Sequence, residues 1–233
     1  MNAVTASLNA EPEPYRTRVG RERRARTRAA ILAAAFELFD ARGIDRVTVD
    51  DIRDAAGLAR GSFYNYFATY EDMLKAMAAQ ITDQLNREQS LLFDHMADPA
   101  ERICRNIQYS IHRLASDASC SGVVVRVTPL VGALTPHMRL HAEAAMAAAI
   151  DSRAIAVPAI GPAMDLGLGL VVMTLRRAMT EGLARGDIAV TGLLLLRALG
   201  VPEARARQIA DQPLPPGPRT PLREAIINPE VAV

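Results

Sequence analysis

The sequence predicts an all-α protein, and three observations carry that expectation. Apolar residues recur at i, i+3 and i+4 along most of the 233 residues, the spacing that gives a helix one apolar face. Helix starts are marked repeatedly, by Thr48, Thr69, Asp98-Pro99 and Thr135-Pro136. The β-branched run Val123 to Val125 reads locally as a strand. Pro129, the flanking Gly122 and Gly132 and the helical context favour a short helix or an irregular segment over Val123 to Leu134. Half of the chain is hydrophobic, which is ample for a core.

Taken in order, residues 1–20 carry Pro12, Pro14 and no periodic apolar pattern, and read as a disordered arm leading into basic sequence. Between Arg16 and Arg28 stand seven arginines and one glutamate, a local balance of +6 hidden within a net charge of +1. Such a run is either a solvated tail or a phosphate contact, and its position before the next motif favours the second. A first helix from Arg23 to about Ala41 buries Ile31, Ala35, Leu38 and Phe39, and Gly43 closes it.

The stretch VTVDDIRDAAGLARGSFYNYFATYEDML, Val47 to Leu74, follows. Thr48 caps a helix, with Asp51 at the capping-box position. Val49, Ile52, Ala55 and Ala56 form its apolar face, and Gly57 ends it. A second helix is expected over Arg60 to Phe67, with Phe63 and Phe67 inward at i, i+4. Two helices around a short Gly-containing turn make a helix-turn-helix unit, whose second helix enters a DNA major groove. Gly61 and Asn65 then point outward, flanked by Ser62 and Tyr64, with Arg60 in the first turn. Gly61 costs about 1 kcal/mol in a helix, a cost that either close approach to DNA or tight packing would explain.

These residues carry a resemblance. TRAAILAAAFELFDARG and TVDDIRDAAGLARGSFYNYFATYEDML resemble, over about Thr27 to Leu74, the N-terminal DNA-binding domain of the TetR family of bacterial transcription regulators. The G-x-x-Y-x-x-F portion of the recognition helix is intact, whereas Ala59 stands where the family usually caps with Ser. The resemblance implies an N-terminal three-helix helix-turn-helix domain over 21–68, followed by a helical effector-binding and dimerisation domain over 69–211. It implies base contacts from Arg60, Gly61 and Ser62, and backbone-positioning contacts from Arg28, Thr48, Tyr64, Asn65, Tyr66 and Lys75.

Beyond the motif, Thr69 caps a long helix from Tyr70 to about Met96, a lever from the head into the second domain. Further helices are expected from Pro99 to Ala115, Pro136 to Ala154, Met164 to Ala184, Thr191 to Leu199, and Pro202 to Ala210. Five prolines between Pro213 and Pro221 make 212–233 a non-helical, Pro-rich tail. The segments 163–185 and 191–210 are apolar on more than one face, which points to burial, in a homodimer interface, as the resemblance also implies, or in the monomer's own core. A small, apolar effector would be lined by Met96, Cys104, Tyr109, His112, Met138, His141 and Met173, since Met suits adaptable pockets.

No cofactor site is expected. His137 and His141 lie at i, i+4, but no third ligand accompanies them, so no metal is expected. The sequence shows neither a phosphate loop nor a nucleophile elbow, so an enzyme is not expected. Cys104 and Cys120 fit a reducing compartment. The longest apolar run, Leu166 to Leu175, is too short to cross a bilayer, and a cytoplasmic protein is expected. The expected function is a ligand-responsive repressor that reads a palindromic operator. A ligand-binding protein or a protein–protein adaptor with a DNA-silent head is the alternative, one that would not need Tyr64, Gly61 or the arginine run.

Overall fold

A computed structural model describes residues 15–131 and 136–227, with side chains placed for 18–128 and 139–227. The described residues form ten α-helices and no strand. In chain order these are α1 Tyr15–Arg42, α2 Val49–Ala55, α3 Tyr70–Phe93, α4 Pro99–Ala115 and α5 Ala118–Val131. They continue with α6 Pro136–Asp151, α7 Ile160–Glu181, α8 Asp187–Ala198, α9 Glu203–Ala210 and α10 Leu222–Ile227.

The β-branched run is helical, inside α5. Val123, Val124 and Val127 are buried in the main core, and tertiary burial overrides their modest helix propensity. The first helix begins at Tyr15, so residues 15–20 belong to α1 and not to an arm. Ala and Arg are strong helix formers, and Gly20 alone does not break the run. Residues 1–14 and the Thr135 cap lie outside the described residues.

In the head, α2 starts as its sequence dictates. Thr48 Oγ accepts from the Asp51 amide at 3.2 Å, and Asp51 accepts from the Thr48 amide at 2.9 Å. Arg42 pairs with the same carboxylate at 3.1 Å. Ile31, Phe36, Ile52, Phe63 and Phe67 close the head's interior, each large side chain contributing about 1.5–3 kcal/mol on burial.

Thr69 accepts from the Asp72 amide at 3.0 Å and caps α3, which ends at Phe93, short of Met96. The head and second domain share one core, which runs from Phe36 and Met77 through Ile81 and Leu85 to Val127 and Leu175. A 3-10 turn at Ile44–Arg46 joins them at the surface. Tyr70 Oη donates to the Ile44 carbonyl at 3.1 Å, and Arg126 pairs with Asp45 at 2.9 Å. Burial pushes the Tyr70 hydroxyl up to about 12. A second cluster, around Cys104, Met164, Leu195 and Ile209, fills the far end.

The chain after α9 returns across the molecule. Arg105 donates to the Gln212 carbonyl at 2.7 Å, and Arg113 to the Thr220 carbonyl at 2.6 Å. The tail then forms α10, with Leu222 and Ile226 in the main core and Arg223 paired with Asp40 of α1. A wholly non-helical tail is therefore corrected over 222–227. Leu222 and Ile226 stand at i, i+4, a short amphipathic pattern just beyond Pro221.

Candidate nucleic-acid interface and ligand cavity

The segment after Gly57 departs from the expected continuous helix over Arg60 to Phe67. Gly61 adopts φ +86°, a left-handed conformation, and only Phe63–Asn65 form a 3-10 turn. The Ser62 amide donates to the Ala59 carbonyl at 3.0 Å, and the Phe67 amide to the Phe63 carbonyl at 3.1 Å. Glycine takes this backbone sign without steric cost, and Ala59 offers no side-chain oxygen to cap a helix. A Cβ on Gly61 would meet nothing within 4 Å, so backbone sign, and not tight packing, is what requires glycine here.

The turn keeps the inward and outward sorting. Phe63 and Phe67 are buried, while Tyr64 is 60% exposed with its ring edge-on to Phe63 at 5.6 Å. Arg60, Gly61 and Asn65 are exposed, and Ser62 and Tyr66 half-buried. The arginine-rich face of α1 is fastened to this turn. Arg24 donates to the Asn65 carbonyl at 3.1 Å and lies over the Tyr66 ring at 5.7 Å. A cleft of 380 Å³ opens between them, lined by Arg23, Arg24, Thr27, Ser62, Asn65 and Tyr66.

The remaining candidates are arranged differently. Arg28 is half-buried over the Phe67 ring at 5.3 Å, and burial lowers its pKa. It braces the turn. The Thr48 hydroxyl is engaged with Asp51 at 2.6 Å. Lys75 is exposed on α3, 3.5 Å from Asp72. Arg23 and Arg24 were not singled out individually in the sequence; their spacing of three and four residues from Thr27 on one helix face is the signal that finds them. The resulting surface combines guanidiniums suited to phosphates with exposed Tyr and Asn groups able to reach sugar, phosphate or base edges.

A second concavity of about 510 Å³ lies within the helical domain, inside the range of small-molecule sites. Leu85, Ile107, Leu114, Val124, Val171 and Leu195 supply apolar wall. The α3–α4 side is polar. Gln89 Nε2 donates to the Asn106 carbonyl at 3.0 Å and to Ser110 Oγ at 2.7 Å. Asn106 Oδ1 is buried with no hydrogen-bond partner.

Of the expected lining residues, His141 borders this cavity and five do not. Cys104 is buried in the second cluster, and its burial pushes the thiol up to about 12. Tyr109 is turned to Glu88, which it meets at 2.7 Å. His112 is exposed, and Met96 packs at the edge of the main core. Met173, 61% exposed, lies on the outer face of α7. The Met138 and His137 side chains lie outside the described residues. Met, Cys and His type does not mark out the lining of this cavity. The informative pattern was polar residues interrupting inward helix faces, Thr82, Asn86 and Gln89 on α3 and Asn106 and Ser110 on α4.

Met173 belongs instead to an exposed apolar strip with Leu166 on α7 and with Val190 and Leu194 on α8. In α9, Ala206, Ile209 and Ala210 are buried within the chain's own second cluster, so α7 and α8 carry the outward apolar surface. Among the described residues no helix is long and apolar enough to cross a membrane. No group of three or more His, Cys, Asp or Glu among them could hold a metal ion.

A head that exposes Arg60, Tyr64 and Asn65 is thus joined through the continuous helix α3 to a helical domain with an internal cavity. Residues 31–77, in the N-terminal part of the chain, match the family model described as bacterial regulatory proteins, tetR family. It is 36% identical over 76 residues to the HTH-type transcriptional repressor KstR2 of Mycobacterium tuberculosis, which covers 33% of this chain and 38% of that one. The chain thus spans well under half the length of that curated relative. It is 29% identical over 161 residues to the HTH-type transcriptional regulator EthR of Mycolicibacterium smegmatis, covering 65% of this chain and 72% of that one. In fold it is similar to RolR without ligand, with a TM-score of 0.70 and 22% identity, covering 82% of this chain and all of that one. The RolR complex with resorcinol superposes with a TM-score of 0.65 over 84% of this chain and 98% of that one, at 22% identity.

Proposed function

We propose that this protein is a dimeric transcription regulator, a repressor that binds a palindromic operator through its head and responds to a small, mostly apolar effector. The observation that carries this reading is the fastening of Arg24 to the turn that exposes Tyr64 and Asn65. That contact builds one cationic, hydrogen-bonding surface out of two elements. A solvated charge run would have no reason to be anchored to an exposed aromatic turn. KstR2 is named a repressor, and RolR is described in complex with a phenolic ligand, which supports the same two-part activity here.

In this reading Arg60, Gly61 and Ser62 reach base edges, while Tyr64, Asn65, Tyr66 and Lys75 set register on phosphate and sugar. Arg23 and Arg24 join the phosphate contacts, and Arg28 and Thr48 hold the turn and α2 in place. Leu166 and Met173 of one protomer pack with Val190 and Leu194 of another, giving a four-helix interface and two heads for two half-sites. The protein works in the cytoplasm, without cofactor and without catalysing a reaction.

The test is selection of genomic fragments by the purified full chain at about 150 mM salt, with Tyr64→Ala alongside. Enrichment of one palindromic site, lost in the variant, is the expected result. Equal recovery by both proteins would overturn the reading of the head.

A further inference from the structure

The chain beyond α9 runs as a strap from the far cluster back toward the head. Pro213, Pro215, Pro216, Pro218 and Pro221 keep it from coiling into a helix. They also restrict the unfolded strap, so less freedom is lost when it is laid down. Arg105 holds its start, through the Gln212 carbonyl at 2.7 Å and Gln212 Oε1 at 2.8 Å. Gly217 passes so close to Tyr109 that a Cβ there would lie 2.7 Å from the phenolic oxygen. Arg113, paired with buried Glu88, donates to the Thr220 carbonyl at 2.6 Å.

The strap delivers α10 to the joint between the head and the second domain. There α10 packs against α1, α3 and α5. Leu222 is fully buried and Ile226 nearly so, both in the core that the two parts share. The Arg223 amide donates to Asp117 Oδ2 at 3.3 Å, and Asp117 Oδ1 accepts from the Cys120 amide at the start of α5. The Arg223 guanidinium pairs with Asp40 in the last turn of α1. One short helix thus ties the start of α5 to the end of α1. The covalent link into α3 would by itself leave the head free to swing about that junction. The 3-10 turn at Ile44–Arg46 restrains it through Tyr70 and Arg126, and α10 adds a separate restraint. A tail that only completed the second domain's core would not need to meet α1.

We propose that α10 is a clasp that determines which half-site spacing the dimer accepts. This rests on the reading of the protein as a two-headed DNA-binding dimer. Two heads reach two half-sites together only when each is held at one angle to its own second domain. A head free to swing would lose binding free energy to being ordered, and would tolerate other spacings. The clasp grips the end of α1 and leaves Arg24, Tyr64 and Asn65 untouched, so it acts on spacing and not on the sequence of a half-site. Leu222, Arg223 and Ile226 are therefore positioning residues.

Two variants of the full chain open the clasp in different ways. Leu222→Ala with Ile226→Ala weakens its seat in the core. Arg223→Asp sets like charge against Asp40 and Asp117 and leaves the core intact. Each is compared with the wild type on a selected two-half-site duplex, on a single half-site, and on a duplex with two base pairs inserted between the half-sites, a rotation of about 70°. Hydrogen exchange at the Leu38 to Arg42 amides is read alongside. The wild type is expected to prefer the selected spacing by at least about tenfold. Both variants should lose most of that preference, bind the single half-site within about twofold of the wild type, and exchange at Leu38 to Arg42 at least about tenfold faster. Asp40→Arg added to Arg223→Asp should restore both properties. Unchanged exchange in both variants, a spacing preference that survives faster exchange, or an equal loss on all three duplexes overturns the proposal. A wild type that prefers no half-site over scrambled DNA would instead sink the DNA-binding reading and the spacing role with it, whereas exchange would still show whether α10 holds the head.

Discussion

Arg24 donates to the backbone carbonyl of Asn65 at 3.1 Å while its guanidinium lies over the Tyr66 ring. One arginine of α1 thus orients the turn that exposes Tyr64, and its removal has two consequences. Arg24→Ala should lower affinity for every DNA sequence and loosen the turn. Hydrogen exchange at the Ser62 and Asn65 amides, read beside a salt titration, checks both. Lys75→Ala, on a different element, should change affinity without changing that exchange.

Gly61→Ala places a side chain at φ +86°. The left-handed conformation costs an L residue about 1–2 kcal/mol, and no neighbour lies close enough to add a clash. Thermal unfolding should register a loss of that size, with Gly20→Ala in α1, where φ is not positive, neutral or slightly stabilising.

Glu88 is buried and receives hydrogen bonds from Arg113, Tyr109 and Gln84. Burial alone would raise its pKa, but the Arg113, Tyr109 and Gln84 contacts together outweigh it and hold the carboxyl below its ordinary range. A lowered folded pKa adds stability above the unfolded value, near pH 4.3, and that stability is lost as pH falls through the folded value. Denaturant unfolding should therefore show the wild type losing more stability than Glu88→Gln between about pH 6 and about pH 3. Arg113→Met leaves the carboxylate buried without its cation, a change that costs about 3–5 kcal/mol near neutral pH.

Gly192 sits where a Cβ would lie 2.6 Å from Gln108 Nε2 and 2.9 Å from Cys104 Sγ. Gln108 is itself held by the Ala210 carbonyl at 2.9 Å and cannot move aside freely. Gly192→Ala should destabilise the α4–α8 contact by about 1–3 kcal/mol through overpacking, visible as a lower denaturant midpoint with unchanged slope.

Leu194→Glu or Met173→Glu puts charge into the exposed strip on α8 and α7. Sedimentation should shift from dimer to monomer, and affinity for a two-half-site DNA should fall while the melting temperature of the head holds. A dimer unaffected by both changes would place the interface elsewhere.

Much of this organisation was legible in the residues. The Thr48 and Asp51 capping box, the Gly57 stop and the Asp98-Pro99 start of α4 are local chemistry, and they stand where the sequence put them. The recognition segment was misread because helical spacing of Phe63 and Phe67 is compatible with a turn once Gly61 takes positive φ. Most of the expected ligand-lining residues lie away from the cavity for another reason. Tyr109 was a candidate on residue type, yet its direction is set by Glu88, 21 residues away in the chain. The docking of Arg223 on Asp40 depends on a return of the tail across the molecule that no local pattern encodes.

The central claim is that the head reads DNA sequence. Its most direct measurement is the affinity of the full chain for a selected site against a scrambled duplex of the same length, at about 150 mM salt. Tighter binding to the selected site by about 10³ or more, reduced by Arg60→Ala at that site but not on the scramble, is the predicted result. Equal affinity for the two duplexes would contradict it.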